Sequence, residues 1–317
     1  MSDYKLSVFI VSYNQEAYIA QAIDSVVKQS VLPYEIVISD DHSTDNTWNI
    51  IKEFSDKYPD LIKSYQNESN IGIYKNFNRA TGLVTGNLIT CVAGDDYINP
   101  GYFEAIGKYI EDKALNPETE RFLIVSDIVK LLDGLEVKYN NHRFTGKNVR
   151  KLSLRELVDD RYGIVSIALL KSIPDFIEDI GIYADFVWNM ERYIKTDHVY
   201  FMEGYYPVYR IGVGVVSSSK EIDVAESHNK ALDVIIQRFR HVYAKSELRY
   251  IAYLQKKNNY ILQKSLRNYL TLVYATLLNI GNFCSWKKQL KSFTYILLPK
   301  KLKKTLFKLK YFELLSK

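Results

Sequence analysis

Two adjacent carboxylates, Asp95 and Asp96, end an apolar run in the stretch "TCVAGDDYINP", residues 90–100. Like charges repel, and a buried carboxylate without a partner costs free energy. One Asp after a glycine is explained by a turn. Two at a strand end are held together more naturally by a divalent cation. Carboxylate oxygens suit Mg2+ or Mn2+, which also take ligands from substrate phosphates, and such an ion would neutralise a departing diphosphate. A solvated turn and a metal-holding pair are both open on spacing.

A second pair, Asp40 and Asp41, lies in "ISDDHSTDNT", residues 38–47. Acidic residues with Ser43 and Thr44 fit a helix N-terminus, where they satisfy exposed N–H groups. That reading leaves the second carboxylate unexplained. The functional reading has one of the two accept a hydrogen bond from a neutral donor, such as the imide N–H of uracil.

The elements that must position these residues follow from periodicity. "LSVFIVS" (6–12), "YEIVISD" (34–40), "LIKSYQN" (61–67) and "NLITCVA" (87–93) read as strands. Between them, 16–30, 43–58 and 74–84 carry helical spacing, with Ser43 as the expected cap, and 101–113 is helical again. Strands separated by helices imply crossovers and a mostly parallel sheet flanked by helices. Such sheets bind ligands at the carboxyl ends of their strands. Tyr13, Asp41, Asn67 and the Asp95–Asp96 pair all fall there. Further on, 121–132 and 164–170 read as strands, 152–162 and 184–195 as helices, and 198–212 as a strand pair.

Composition bounds the rest. The 317 residues are 47% hydrophobic and 25% charged, ordinary for a folded chain of one or two domains. Two cysteines at 91 and 284 form no framework, which fits a reducing compartment. The N-terminus carries Asp3 and a short apolar run, unlike a signal peptide, and no stretch reaches the length of a membrane span. The net charge of +5 is uneven: residues 220–317 hold 20 basic and 6 acidic residues, or +14, leaving −9 for the remainder.

Four segments in order, "VFIVSYNQEAYIAQAIDSVVKQS", "EIVISDDHSTDNT", "NIGIYKNFNRATGLVTGNLI" and "VAGDDYINP", resemble the inverting glycosyltransferases of family 2, of GT-A fold. The match is close over residues 5–110. The resemblance implies an α/β fold, a Rossmann-like mostly parallel sheet, and transfer of a sugar from a nucleotide diphosphate, often UDP, with Mn2+ or Mg2+. It places Tyr13 on the nucleotide base, Asp41 as reader of that base, Asp95 near the ribose and Asp96 as metal ligand, with Asp95 beside it. Asn78 falls in the segment that approaches the donor. Relatives often carry an acid where this chain has Ala93.

An inverting displacement needs a base for the acceptor hydroxyl. Asp185 in "GIYADFVWNMERYIK" is the candidate, with Glu178 and Asp179 as backups; an N-cap or solvent-facing role competes. The family often has an acidic pair here, and Ala184 replaces its first member. Arg210 in "PVYRIGVG" could pair with diphosphate oxygens, or with a carboxylate. Gly212 stands where relatives often carry His.

The expected organisation is a catalytic domain over 1–219, with a nucleotide-sugar-binding half (1–113) and an acceptor-binding half (114–219), then a basic helical region over 220–317. Residues 286–317 hold ten Lys and one acidic residue. A helix there with a Leu302, Leu306, Leu309 stripe would suit an anionic membrane surface; a packed helix or a nucleic-acid patch compete, and nucleic acid is not the expected partner. The expected setting is cytoplasmic, peripheral on the inner face of the cell membrane, with a saccharide or lipid-linked saccharide acceptor. The alternative is a non-catalytic nucleotide-sugar-binding or membrane-associated scaffold protein.

Overall fold

The computed structural model describes residues 4–147, 162–214 and 219–279. The described residues form two compact units. One takes those within Met1–Leu152, Val158–Glu178 and Trp188–Ser217, and the other those within Asp179–Val187 and Ser218–Lys317.

The first unit is built on a sheet of order β3-β2-β1-β4-β8-β6-β9-β5, with β7 paired to β6. Its parallel part consists of β1 (Leu6–Ser12), β2 (Glu35–Asp40), β3 (Ile62–Gln66) and β4 (Leu88–Ala93). Every residue of β1 and β2 is buried, as an uninterrupted apolar run requires of central parallel strands. Val8, Ile10, Ile36 and Ile38 are fully buried, each worth roughly 1.5–3 kcal/mol on removal from water. Helix α1 (Ile19–Val27) covers them with Ile19, Ala22, Ile23, Val26 and Val27, the residues whose spacing marks its apolar stripe. Helices α2 (Thr47–Lys57), α3 (Ile73–Leu83) and α4 (Tyr102–Lys113) complete the crossovers.

Beyond β4 the pairing is mixed. The strand pair β5 (Tyr97–Ile98) and β9 (His198–Arg210) is antiparallel, while β9 runs parallel to β6 (Phe122–Leu132). The stretch 198–212 was expected as two strands and forms one. Its register against β6 shifts between Met202 and Tyr205, where Gly204 sits at φ 124°. The stretch 164–170 also differs. Only β8 (Ile164–Ser166) is extended. The Ser166 hydroxyl then accepts from Leu169 N at 3.2 Å and caps α5 (Ile167–Leu170). Strand β7 (Leu135–Tyr139) was not anticipated; it pairs with β6 through a turn at Asp133 and Gly134.

Helix α2 starts at Thr47, and Ser43 does not cap it. The Ser43 hydroxyl and N–H both donate to Asp40, at 2.5 and 2.9 Å. Asp45 Oδ1 accepts from Thr47 N at 3.0 Å instead.

The second unit contains the first turns of α6 (Ala184–Lys195) together with α7 (Glu221–Phe239), α8 (Lys245–Leu262) and α9 (Leu266–Asn279). Among the described residues no helix is long and apolar enough to cross a membrane. The helix expected over 152–162, apart from Tyr162, and the basic segment 286–317 lie outside the described residues.

Candidate active site

The carboxyl ends of β1, β2 and β4 bring the first candidates to one edge of the sheet. In register, Ser12 lies beside Asp40 and Val11 beside Ala93, so the residues that follow each strand emerge together. Tyr13 is the first residue after β1 and is 46% exposed, an available ring at that edge.

Asp40 and Asp41 are both buried, and their environments differ. Asp40 accepts from Ser12 Oγ at 2.9 Å, Gln66 Nε2 at 3.1 Å and the Ser43 groups, which makes it a structural bracket between strand ends. Asp41 reaches the loop after β3. Its Oδ1 accepts from Asn67 Nδ2 and Ile71 N, both at 2.8 Å, and its Oδ2 from Gly72 N at 2.9 Å. Asn67 is itself oriented by Asn76 and Arg79. The region expected to read a base is therefore rigid and already charge-compensated by backbone N–H groups.

Asn78 does not turn toward Asp41. Its side chain clamps the backbone of Phe176, accepting from Phe176 N at 3.0 Å and donating to Phe176 O at 3.4 Å. Phe176 stacks on Trp188, with ring centroids 4.8 Å apart, and Phe77 packs edge-on against both.

The Asp95–Asp96 pair is the most tightly built part of the site. Gly94 precedes it because a Cβ there would come within 2.2 Å of Gln15 Oε1. Asp96 is 1% exposed. Its Oδ2 accepts a short hydrogen bond from the Tyr162 hydroxyl and its Oδ1 accepts from Arg210 N at 2.7 Å. Asp95 is less enclosed, and a Cβ on Gly214 would stand 3.4 Å from its Oδ2. Burial raises the Asp95 carboxyl above the ordinary range, against the lowering effect of its own N–H and of the Arg210 charge. A desolvated carboxylate of this kind favours a cation.

Arg210 ends β9 and binds the same turn from the other side. Its guanidinium donates to the Asp95 carbonyl and to Gln21 Oε1, and lies over the rings of Tyr18 and Tyr97 at 5.1 and 4.9 Å. These hydrogen bonds use a backbone carbonyl and an amide oxygen, not the carboxylate side chain expected as the competing partner.

Sequence reasoning missed Tyr162. It has a left-handed φ of 59°, costly for an aromatic residue. Its carbonyl accepts from Thr90 Oγ1 at 3.0 Å and the Tyr102 hydroxyl at 2.7 Å, which holds that conformation. No local pattern announces a contact made across 66 residues.

The metal expectation can be tested on the donor set. Among the described residues no group of three or more His, Cys, Asp or Glu is placed to hold an ion. Two carboxylates are too few for a protein-only cage, but they suit Mg2+ or Mn2+ that shares its coordination with phosphates and water.

Asp185 belongs to the second unit. It is exposed on the first turn of α6, where Phe186 N donates to its Oδ1 at 2.8 Å.

Several known proteins are similar to this chain. Residues 7–131 match the family described as Glycosyl transferase family 2. EpsE of Bacillus subtilis (strain 168), named as a glycosyltransferase, is 35% identical over 171 residues, which is 54% of this chain and 50% of EpsE. The chain thus spans half the length of that relative, and 27% of the mycobacterial relatives that it matches at 39% identity. Among solved structures, S. aureus TarS 1-349 in complex with UDP-GlcNAc superposes with a TM-score of 0.63 at 21% identity, covering 86% of this chain and 79% of that one. The mannosyltransferase PcManGT from Pyrobaculum calidifontis, in complex with GDP-Man and Mn2+, gives 0.58 at 16% identity, covering 99% and 86%. Both have the GT-A fold. Over residues 7–131, the segment that carries the sheet edge of Tyr13, Asp41 and the Asp95–Asp96 pair, the chain is similar to glycosyl transferase family 2.

Proposed function

We propose that the protein is an inverting glycosyltransferase of hexosyltransferase type. It moves a sugar from a nucleotide diphosphate, UDP in the first instance, to a saccharide or lipid-linked saccharide. The observation that carries this reading is the Asp95–Asp96 turn at the carboxyl end of a parallel strand, gripped by Tyr162 and Arg210. Solved proteins of the same fold bind UDP-GlcNAc and GDP-Man.

In this reading Tyr13 stacks on the base, and Asp41 Oδ2, with a single N–H on it, accepts the imide N–H. Asp95 presents the more accessible carboxylate to Mn2+ or Mg2+. Asp96 backs it, with its oxygens fixed by Tyr162 and Arg210. The cation, when bound, neutralises charge gathering on the leaving diphosphate. Arg210 and Asn78 act by holding the walls of the donor site, through the Asp95 carbonyl and the Phe176 backbone. The acceptor hydroxyl attacks the anomeric carbon, the bond from that carbon to the diphosphate oxygen breaks, and the hydroxyl proton passes to the Asp185 carboxylate. One displacement inverts the centre.

The helical region adds a location. Exposed Leu270 and Tyr274 lie one turn apart on α9, on the segment that precedes the Lys-rich residues 286–317. This supports peripheral attachment to an anionic inner membrane face, where a lipid-linked acceptor would be met.

The test is a donor screen that follows nucleoside diphosphate release, with Mn2+ and with EDTA, for the parent and Asp185→Asn. Metal-dependent release from one donor, lost in Asp185→Asn with donor binding kept, is the expected result. Binding of every donor without release would establish the non-catalytic alternative. Sedimentation with phosphatidylserine vesicles, against phosphatidylcholine vesicles, tests the membrane reading.

A further inference from the structure

Helix α7 lies in the basic carboxyl-terminal part of the chain, beyond the segment matched by the family, yet within the second unit it holds the residues that lead into Asp185. Three of its side chains do this. Ser227 Oγ accepts from Tyr183 N at 2.8 Å. The His228 ring stacks on Tyr183 with centroids 4.5 Å apart and planes 19° apart, and Phe186 meets the same ring edge-on at 6.0 Å. Lys230 Nζ donates to the Asp179 carbonyl at 3.2 Å. Gly181 turns the chain with φ 79°, and a Cβ there would face Ser227 Oγ at 3.5 Å, so the turn is fitted closely to the helix.

Helix α7 is itself fixed to α8 by a reciprocal amide pair. Asn229 Nδ2 donates to Asn259 Oδ1 and Asn258 Nδ2 to Asn229 Oδ1, both at 2.9 Å. A carboxylate on the first turn of a helix points where the residues just before it send the chain. Here those residues, 181–183, have their N–H, ring and turn set by α7. Asp185 itself is exposed, and Phe186 N donates to its Oδ1 at 2.8 Å. Simple packing of α7 would need only its buried apolar residues Ala225, Ala231, Leu232, Ile235 and Phe239. The Ser227 and His228 contacts with Tyr183 and Phe186 come in addition to that packing, and His228 also hydrogen-bonds Asn258 of α8.

We infer that Ser227 and His228 are positioning residues for transfer: α7 sets the orientation of Asp185, and the carboxyl-terminal helices are part of the catalytic apparatus. This rests on the reading of Asp185 as the base.

The experiment uses the full chain and the donor found by the screen, with His228→Ala, Ser227→Ala, His228→Phe and Asp185→Asn compared. A displaced base should lower kcat about tenfold or more in His228→Ala and Ser227→Ala, with donor KM and the Kd for UDP with Mn2+ within about twofold. His228→Phe keeps the stack on Tyr183 and should restore kcat to within about threefold of the parent. Unchanged kcat in His228→Ala and Ser227→Ala, equal losses in kcat and UDP binding, or failure of His228→Phe to rescue each overturns the inference. Unchanged kcat in Asp185→Asn overturns the base reading separately. Hydrogen exchange needs no donor. Faster exchange of the amides of 181–186 in His228→Ala is expected, and unaltered protection there refutes the brace whatever the turnover.

Discussion

The hydroxyl of Tyr162 donates to the carboxylate of Asp96. A hydrogen bond to a charged, buried acceptor fixes the side chain and lowers the cost of burying its charge, a contribution of about 1.5–3 kcal/mol. Because Tyr162 also closes a strained backbone turn through its carbonyl, side-chain removal acts on Asp96 without freeing that turn.

Tyr162→Phe should therefore lower stability by about 1–3 kcal/mol in urea unfolding at pH 7. It should also raise severalfold the Mn2+ concentration that half-saturates the protein, read by the paramagnetic signal of free Mn2+. Equal Mn2+ titrations of parent and variant would show that Asp96 needs no such support.

Arg210 makes a second prediction. A lysine keeps its charge but not the fork that reaches the Asp95 carbonyl and Gln21, nor the plane that lies over Tyr18 and Tyr97. Arg210→Lys should therefore resemble Arg210→Ala in losing about 10- to 100-fold in kcat/KM for the donor. Retention of near-parental activity by the lysine variant would mean that only the charge matters.

Glu35 predicts an acid limb in stability. Burial alone would raise its carboxyl, but the Lys63 ammonium, Thr85 and Ser7 overcome this and lower it to about 2. The unfolded chain then binds the proton more readily, so this stability is full above about pH 4.5 and is lost as pH falls toward 2. Glu35→Gln should cost on the order of 1–2 kcal/mol at pH 7, and the gap to the parent should narrow at pH 3, as urea midpoints will show.

His228 behaves with the opposite charge. Burial, then the nearby Lys257, lowers its imidazolium to about 4, from 6.5. The fold favours the neutral ring. Its contribution is full above pH 6.5 and declines as pH falls toward 4, because the unfolded chain takes up the proton first. His228→Phe should flatten the loss of thermal stability between pH 7 and pH 4.5; parallel curves for both proteins would contradict this.

Much of this fold was legible in the sequence, and the parts that were not have physical reasons. Continuous apolar runs gave β1, β2 and β4, because a strand covered on both faces has little choice of residue. The hairpin at Asp133–Gly134 carries an Asp-Gly signal between apolar residues, which marks a two-residue turn but not which strand it pairs. Ser43 misled because a hydroxyl near a helix start can bind a neighbouring carboxylate equally well. At the candidate site, residue types singled out Asp95 and Asp96, but not which carboxylate is enclosed. That depends on Tyr162 and Arg210, which only the folded chain brings to the turn.

The bond from Arg210 N to Asp96 spans 114 residues. During synthesis on the ribosome the acidic turn must leave the exit tunnel long before its backbone partner does. The amino-terminal half can pair its parallel strands early, but it emerges with an unfinished carboxylate cradle, and nascent chains halted before residue 210 would lack a backbone donor that fixes Asp96.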